Sequence, residues 1–278
     1  MDNVHEKRGK LISYLRGLER AAVAFSAGVD STFLLGMAKE VLGENVIAVT
    51  GKSVSFPERE QTEAADFCRK LGVEQMIVTV DQMSIPGFAD NPPDRCYLCK
   101  KELFSAFLAA AREKGFEHVL EGSNVDDLSD YRPGLRAIKE LDIKSPLKEA
   151  GLTKAEIRIL SREMGLPTWS KPSFACLATR IPYHEEITPK KLGMIEKGEQ
   201  KLFSLGFDQV RVRLHGTIAR IEIERDQFGK LLEPDISEEL NAYFHSLGFQ
   251  YVTLDLGGYQ MGSMNKSLKE DLINRNLT

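Results

Sequence analysis

The segment AAVAFSAGVDSTFLLGMAKEVLG, residues 21–43, restricts the fold more than any other part of the chain. Ala21 to Phe25 form a short continuous apolar run, the pattern of a strand buried on both faces. Gly28 supplies a turn, Asp30 and Ser31 are helix-capping residue types, and the apolar stretch that follows predicts a helix ending at Gly43. A strand covered on both faces needs helical layers above and below, so strand and helix must alternate. They do: VIAVTG precedes PEREQTEAADFCRKLG with Pro57 at its start, EQMIVTV precedes CKKELFSAFLAAAREKG, and HVLEGSN precedes TKAEIRILSREMG, where Thr153 and Glu156 form a capping-box pattern. Residues 5–19 read as an amphipathic helix on Leu11, Leu15 and Leu18. The expected fold is α/β, a doubly wound parallel sheet with right-handed crossovers. After Pro182 the pattern changes. SLGFDQVRVRLHG and SLGFQYVTLDLGG each follow a helix and then alternate apolar with polar residues, as IARIEIE does between them. The two copies are read either as a recurring helix stop or as a duplicated helix–strand unit. The expected domains are 1–185 and a smaller α+β domain over 186–278.

The loop from Ser26 to Thr32 combines small residues, which let a ligand approach the backbone, with hydroxyls and helix N-terminal N–H groups that suit phosphate. It lacks the lysine of a Walker loop and is not the GxGxxG dinucleotide fingerprint. It resembles the S-[GA]-G-x-D-S loop of the PP-loop ATPases, which split ATP into AMP and pyrophosphate. That resemblance implies an ATP and pyrophosphate site on Ser26, Ala27, Gly28, Asp30, Ser31 and Thr32. Glu121-Gly122-Ser123-Asn124 closes the fourth predicted strand, at the sheet edge where open α/β folds bind ligands, and so adds Gly122 and Asp126 to the site. Asp126, Asp127 and Asp130 make an acidic loop. It suits Mg2+ held by Asp30 and Asp126, or else it is a polar loop with aspartate caps.

Lys+Arg of 37 against Asp+Glu of 41 gives a formal net charge of -4, which argues against a nucleic-acid-coating surface and leaves room only for a local basic groove. The start MDNVHEKRGK has no apolar core, and no apolar run approaches the roughly 18 residues of a spanning helix. The expectation is a cytoplasmic protein without a membrane partner, in which cysteines are not structural disulfides. Cys68 sits in a helical pattern as a small core residue. Cys96-Tyr-Leu-Cys99 stands between Pro-Pro-Asp-Arg and a helix opening with Lys100 and Lys101, and a helix start with nearby cations favours thiolate. Cys176 lies between Lys171 and Arg180 in a stretch broken by Pro172 and Pro182, a setting that more often bears chemistry than packing.

SAGVDST, DYRPG, GLP-W-KPS-CLATRIPY, VRVR-H-IARIE and YVTLDLGG-GSMN together resemble the LarE family over nearly the whole chain. The resemblance implies an ATP-dependent sulfur transferase in nickel-pincer cofactor (lactate racemase) maturation. Such an enzyme adenylates the carboxylates of a pyridinium dicarboxylate mononucleotide and converts them to thiocarboxylates. In one branch the cysteine matching Cys176 surrenders its own sulfur and becomes dehydroalanine. Cys96 and Cys99 make this chain resemble the three-cysteine branch instead, which implies a [4Fe-4S] cluster on Cys96, Cys99 and Cys176 and a separate sulfide donor. Three thiolates leave one iron of a cubane open for a terminal sulfide. Zinc would need a fourth ligand, for which His184 is the one candidate, and a redox dithiol is the remaining alternative.

The resemblance further implies that Thr179, Arg211 and Arg213 bind the substrate phosphate. The two arginines leave one face of a strand, and the competing expectation is a solvated sheet face paired to Glu222 or Asp255. Glu199 and Glu222 match two positions of a family metal site near an oligomer centre, whose third falls near Lys230. A homo-oligomer and a nickel-insertion partner protein are expected. The rival functions are a PP-loop tRNA thiolase and a non-catalytic iron–sulfur or sulfide carrier that binds nucleotide. A GMP or NAD synthetase shares the loop but has no use for three cysteines.

Overall fold

The computed structural model describes residues 2–129, 133–172, 175–260 and 262–263. Asp130, Tyr131 and Arg132 of DYRPG, Ser173 and Phe174 before Cys176, and Met264 and Asn265 of GSMN lie outside the described residues. The elements run α1 (Asp2–Arg16), β1 (Ala21–Ala24), α2 (Val29–Leu42), β2 (Val46–Lys52), α3 (Glu58–Leu71), β3 (Glu74–Thr79), α4 (Arg95–Glu113), β4 (Val119–Leu120), α5 (Gly134–Glu140), α6 (Pro146–Glu149), α7 (Lys154–Glu163), α8 (Pro189–Ser204), β5 (Arg211–His215), β6 (Ile218–Glu222), α9 (Phe228–Leu231), α10 (Pro234–Leu247) and β7 (Tyr251–Leu254). They fall into two compact units. Described residues up to 85 and from 94 to 172 form the first, and 86–93 with those from 175 onward form the second.

The first unit is built on a parallel sheet in the order β3-β2-β1-β4. The apolar run of β1 is divided between two layers, as the period of two requires. Ala21 and Val23 join Val46 and Ala48 of β2 in one core with Leu11 and Leu15 of α1, Phe33, Leu34 and Met37 of α2, and Ile157 and Leu160 of α7. Ala22, with Ile47 and Val49, faces the other core against Phe104, Phe107 and Ala111 of α4 and Ile138 of α5. Cys68 is buried in the first of these cores, and desolvation pushes its thiol up to about 11, in keeping with a packing residue. The doubly wound α/β expectation holds. One boundary shifts: α4 begins at Arg95, directly after Pro92, Pro93 and Asp94, so Cys96 and Cys99 form its first turn rather than preceding it. Proline blocks helix continuation only on its own N-terminal side, so the helix can start as soon as Pro93 is passed.

The second unit carries a sheet in the order β5-β6-β7, with β5 antiparallel and β7 parallel to β6. Both SLGF segments are helix stops: α8 gives way to Gly206 at φ 78° and α10 to Gly248 at φ 106°, the left-handed conformation that favours glycine. Gly198 lets α8 approach α10 so closely that a Cβ there would lie 3.0 Å from the ring of the buried Phe244. Gly198→Ala is therefore expected to cost about 1–3 kcal/mol through overpacking, seen as a lower urea midpoint; an unchanged or raised midpoint would show that the ring shifts freely.

Candidate functional site

In the first unit β1 has β2 on one side and β4 on the other, so the strand order reverses between β1 and β4. Such a switch point opens a crevice at the carboxyl ends of the two strands. Both loops singled out in the sequence leave from there. Ser26 to Gly28 follow β1, and Glu121 to Asn124 follow β4. The first loop is closed by its own hydroxyls. The Ser26 and Ser31 Oγ atoms are 3.1 Å apart, the Ser26 N–H donates to Ser31 Oγ at 3.3 Å, and Ser31 Oγ donates to the Gly28 carbonyl at 3.2 Å. The turn's left-handed residue is Ala27 at φ 54°, whereas Gly28 is extended at φ -81°. The expectation that Gly28 makes the turn is corrected accordingly: Gly28 leaves the backbone bare at the start of α2. The Thr32 hydroxyl is buried with no hydrogen-bond partner among the described residues. Gly122 brings the two loops together. A Cβ there would lie 3.1 Å from the Ser31 nitrogen and 3.2 Å from the Asp30 Cβ, so β4 can approach the start of α2 only through a residue without a side chain.

Two lysines that sequence reasoning did not assign complete this crevice. Lys154, the first residue of α7, pairs with Asp30 through its ammonium group, while its N–H donates to Asp126 at 2.8 Å. The Thr153–Glu156 capping box fixes the helix end that carries it. Asn124 Nδ2 also donates to Asp30, at 3.3 Å. Lys171 donates to the Ala27 carbonyl at 2.9 Å and pairs with Glu63. A pattern search misses such residues because their partners lie over a hundred positions away along the chain. The acidic loop is a set of caps: Asp127 accepts from the Asn124 N–H at 3.0 Å and Asp126 caps α7.

At the start of α4 Cys96 and Cys99 are half-buried and not joined in a disulfide. The cations expected beside them are turned elsewhere, with Lys101 on Tyr97 and Glu140 and Lys100 over the Phe104 ring. The sulfurs instead face two buried donors. Gln82 Nε2 lies 3.0 Å from Cys99 Sγ, and Arg95 Nη2 lies 3.7 Å from Cys96 Sγ. The Gln82 Oε1 atom is buried with no partner among the described residues.

In the second unit Cys176 precedes the short 3-10 turn Leu177–Arg180. Arg213 Nη1 donates to the Thr179 carbonyl at 3.0 Å, so the structure brings Thr179 to the β5 arginines. Those arginines are buried, 3% and 5% exposed, so the solvated-face alternative fails, although Arg213 does pair with Glu222 at 2.9 Å. Burial pushes the Arg211 guanidinium down to about 10, with Arg180 nearby adding to the effect, and its side chain lies over the Tyr259 ring at 5.0 Å. In this unit three buried guanidiniums, Arg180, Arg211 and Arg213, meet two buried carboxylates, Glu199 and Glu222. Two guanidinium forks side by side on one strand suit an anion. Glu199 is forked onto Arg180 at 2.8 and 3.1 Å and also accepts from the Val212 N–H at 3.0 Å. Glu222 takes Arg213, Arg220 at 3.2 Å and Ser263 at 2.9 Å. Carboxylates so engaged do not fit a metal site. Among the described residues no group of three or more His, Cys, Asp or Glu that could hold a metal ion is present, and no helix is long and apolar enough to cross a membrane.

No family model matches the chain. An uncharacterized protein of Synechocystis is 41% identical over 265 residues, 95% of this chain and 99% of the relative. The pyridinium-3,5-bisthiocarboxylic acid mononucleotide synthase of Lactiplantibacillus plantarum is 39% identical over 269 residues, 96% of this chain and 97% of the relative. A glutamine-hydrolyzing GMP synthase of Aeropyrum pernix is 26% identical over 200 residues, 64% of this chain and 38% of the relative, which accords with a PP-loop fold. With near-complete coverage by the second of these, and with its strand–loop–helix at the switch point of a parallel sheet, the chain belongs to the pyridinium-3,5-bisthiocarboxylic acid mononucleotide synthase (LarE) family within the PP-loop ATPases.

Proposed function

We propose that this chain converts the carboxylates of pyridinium-3,5-biscarboxylic acid mononucleotide to thiocarboxylates at the expense of ATP, a step in nickel-pincer cofactor assembly. The observation that carries the proposal is the crevice at the β1–β4 switch point, where Gly122 lets the Ser26–Thr32 loop and the β4 edge meet. ATP lies along the loop, with Ser26, Ser31, Thr32 and the N–H groups opening α2 on its phosphates. Asp30 and Asp126 would hold Mg2+ only by giving up the Lys154 ammonium and N–H that they engage in this structure, and the ion would then neutralise phosphate charge there. A substrate carboxylate attacks the α-phosphorus, the bond to the bridging oxygen of pyrophosphate breaks, and an acyl-adenylate forms. Loop donors and the Lys154 ammonium stabilise the charge that develops on pyrophosphate. The mixed anhydride turns a poor electrophile into a good one, and a sulfur nucleophile then displaces AMP.

Thr179, Arg211 and Arg213 hold the substrate phosphate, which is supported by the burial of both arginines on one strand and the Arg213 contact to Thr179. The proposed division of labour is ATP chemistry in the first unit and substrate binding in the second, the latter including Cys176 and Thr179. Cys96, Cys99 and Cys176 are the proposed sulfur-handling residues. The pair on α4 fits an iron–sulfur ligand set by its place on one helical turn and by the N–H donors facing both sulfurs. The [4Fe-4S] cluster is carried by the family resemblance alone: Cys96, Cys99 and Cys176 would hold it, and it would supply the sulfur nucleophile, the sulfide coming from a separate donor. A homo-oligomer and a nickel-insertion partner belong to the same proposal.

The purified full-length chain, given ATP, Mg2+ and the dicarboxylate mononucleotide, is expected to form AMP and pyrophosphate in step with a thiocarboxylate seen by mass spectrometry. Gly122→Ala, whose Cβ would lie 3.1 Å from the Ser31 nitrogen and so press the β4 edge away from the loop by a few tenths of an ångström, is expected to lower the pyrophosphate release rate by about tenfold. Release of ADP in place of AMP, or AMP formation that ignores the substrate, would overturn the proposal.

A further inference from the structure

Arg180 is among the most deeply buried large side chains of the protein, 1% exposed, and the sequence marks it only as a cation flanking Cys176. Its Nη1 atom donates to the Ala175 carbonyl at 2.6 Å, the Cys176 carbonyl at 3.1 Å and Thr179 Oγ1 at 2.9 Å. The Cys176 carbonyl also accepts the Thr179 N–H at 3.0 Å and the Thr179 hydroxyl at 2.8 Å. Three donors thus converge on one carbonyl, and the backbone on both sides of the Cys176 Cα is tied down while its side chain stays half-buried. The opposite edge of the same guanidinium is forked onto Glu199, whose Oε1 atom receives the N–H of Val212. Val212 lies between Arg211 and Arg213 on β5. One planar cation therefore spans from the cysteine turn, through one carboxylate, to the strand that carries the anion-facing arginines. Lysine has no second edge and cannot make this connection.

We propose that Arg180 is the positioning residue of the sulfur-transfer step, and that the Arg180–Glu199 pair sets Cys176 in register with Arg211 and Arg213, so that a substrate anchored by its phosphate meets the cysteine at a fixed distance. This gives Glu199 a role other than ligation of a metal, and it rests on the proposed function of Cys176. Arg180 touches no reacting atom. Its removal loosens a backbone turn, which slows transfer without changing the chemistry of adenylation.

The test uses the full-length chain with three variants: Arg180→Lys, Glu199→Gln, and the paired Arg180→Met/Glu199→Met, which removes both charges together so that neither is left buried alone. Melting curves identify which variants are folded. Two rates are then read: alkylation of Cys176 by iodoacetamide in protein prepared without iron, so that no metal covers the thiol, followed on its peptide by mass spectrometry, and single-turnover thiocarboxylate formation beside pyrophosphate release by the loaded protein. Arg180→Lys and the paired variant are expected to slow thiocarboxylate formation by about a hundredfold, to leave pyrophosphate release within about threefold, and to change the alkylation rate by about tenfold, with Glu199→Gln intermediate. Folded variants with wild-type alkylation and transfer rates would overturn the proposal. So would an equal fall in pyrophosphate release and transfer. Thiocarboxylate formation by Cys176→Ala would overturn the function proposed for that cysteine, while the alkylation rate would still report whether Arg180 holds the turn.

Discussion

Replacing Cys176 with alanine is expected to lower thiocarboxylate formation by at least about a thousandfold while leaving pyrophosphate release from ATP within about threefold, because it removes a sulfur-bearing group and leaves every residue of the proposed ATP site unchanged. The ATP loop, Gly122 and Lys154 belong to the first unit, and Cys176 belongs to the second, on a turn fixed by hydrogen bonds from within that unit. A discharge experiment with radiolabelled ATP reads both halves in one tube. Loss of both activities together would assign Cys176 to folding or to ATP binding instead. Iron and acid-labile sulfide, assayed after anaerobic purification, separate the two sulfur sources. About four iron per chain, lost in Cys96→Ala, is the result expected of the cluster, whereas dehydroalanine at Cys176 after one turnover would mark the cysteine itself as the donor.

Glu222→Ala is expected to cost about 3–5 kcal/mol, the range for breaking a buried ion pair and leaving its partner charged. Glu222 is fully buried at 0% exposure and accepts from Arg213, Arg220 and Ser263. Arg220 retains Asp255, but Arg213 keeps only the Thr179 carbonyl and Ser263, and its buried Nε already has no partner among the described residues. The measurement is a urea titration followed by circular dichroism. A loss below about 1 kcal/mol would mean that water or another acceptor reaches Arg213 easily. Inorganic phosphate should restore part of the stability if Arg211 and Arg213 receive an anion, since a ligand bound only to the folded state stabilises it.

Much of the fold is legible from periodicity alone. The run Ala21–Phe25 could be covered only by helices on two sides, and the alternating strands and helices admit little besides a parallel sheet. The ATP loop is legible as well, since its chemistry lies within seven consecutive residues and depends on small side chains and a helix start, both local properties. Cys96 and Cys99 stand out by spacing, yet the sequence pattern starts their helix one turn later than the structure does. The sequence resemblance identifies Glu199 and Glu222 with a metal site, whereas the structure gives them guanidinium partners.

What the amino-acid order determined by itself was the layering, the nucleotide loop and the spacing of the Cys96–Cys99 pair. Tertiary structure alone decided which groups those features meet: Lys154 on Asp30, Gln82 on Cys99, Arg180 between Cys176 and Glu199. The reason is physical. Backbone preference and amphipathic period act over a few residues and are written along the chain. The partner of a buried charge is chosen by desolvation, which obliges it to find an opposite charge or a hydrogen bond wherever the fold brings one within reach.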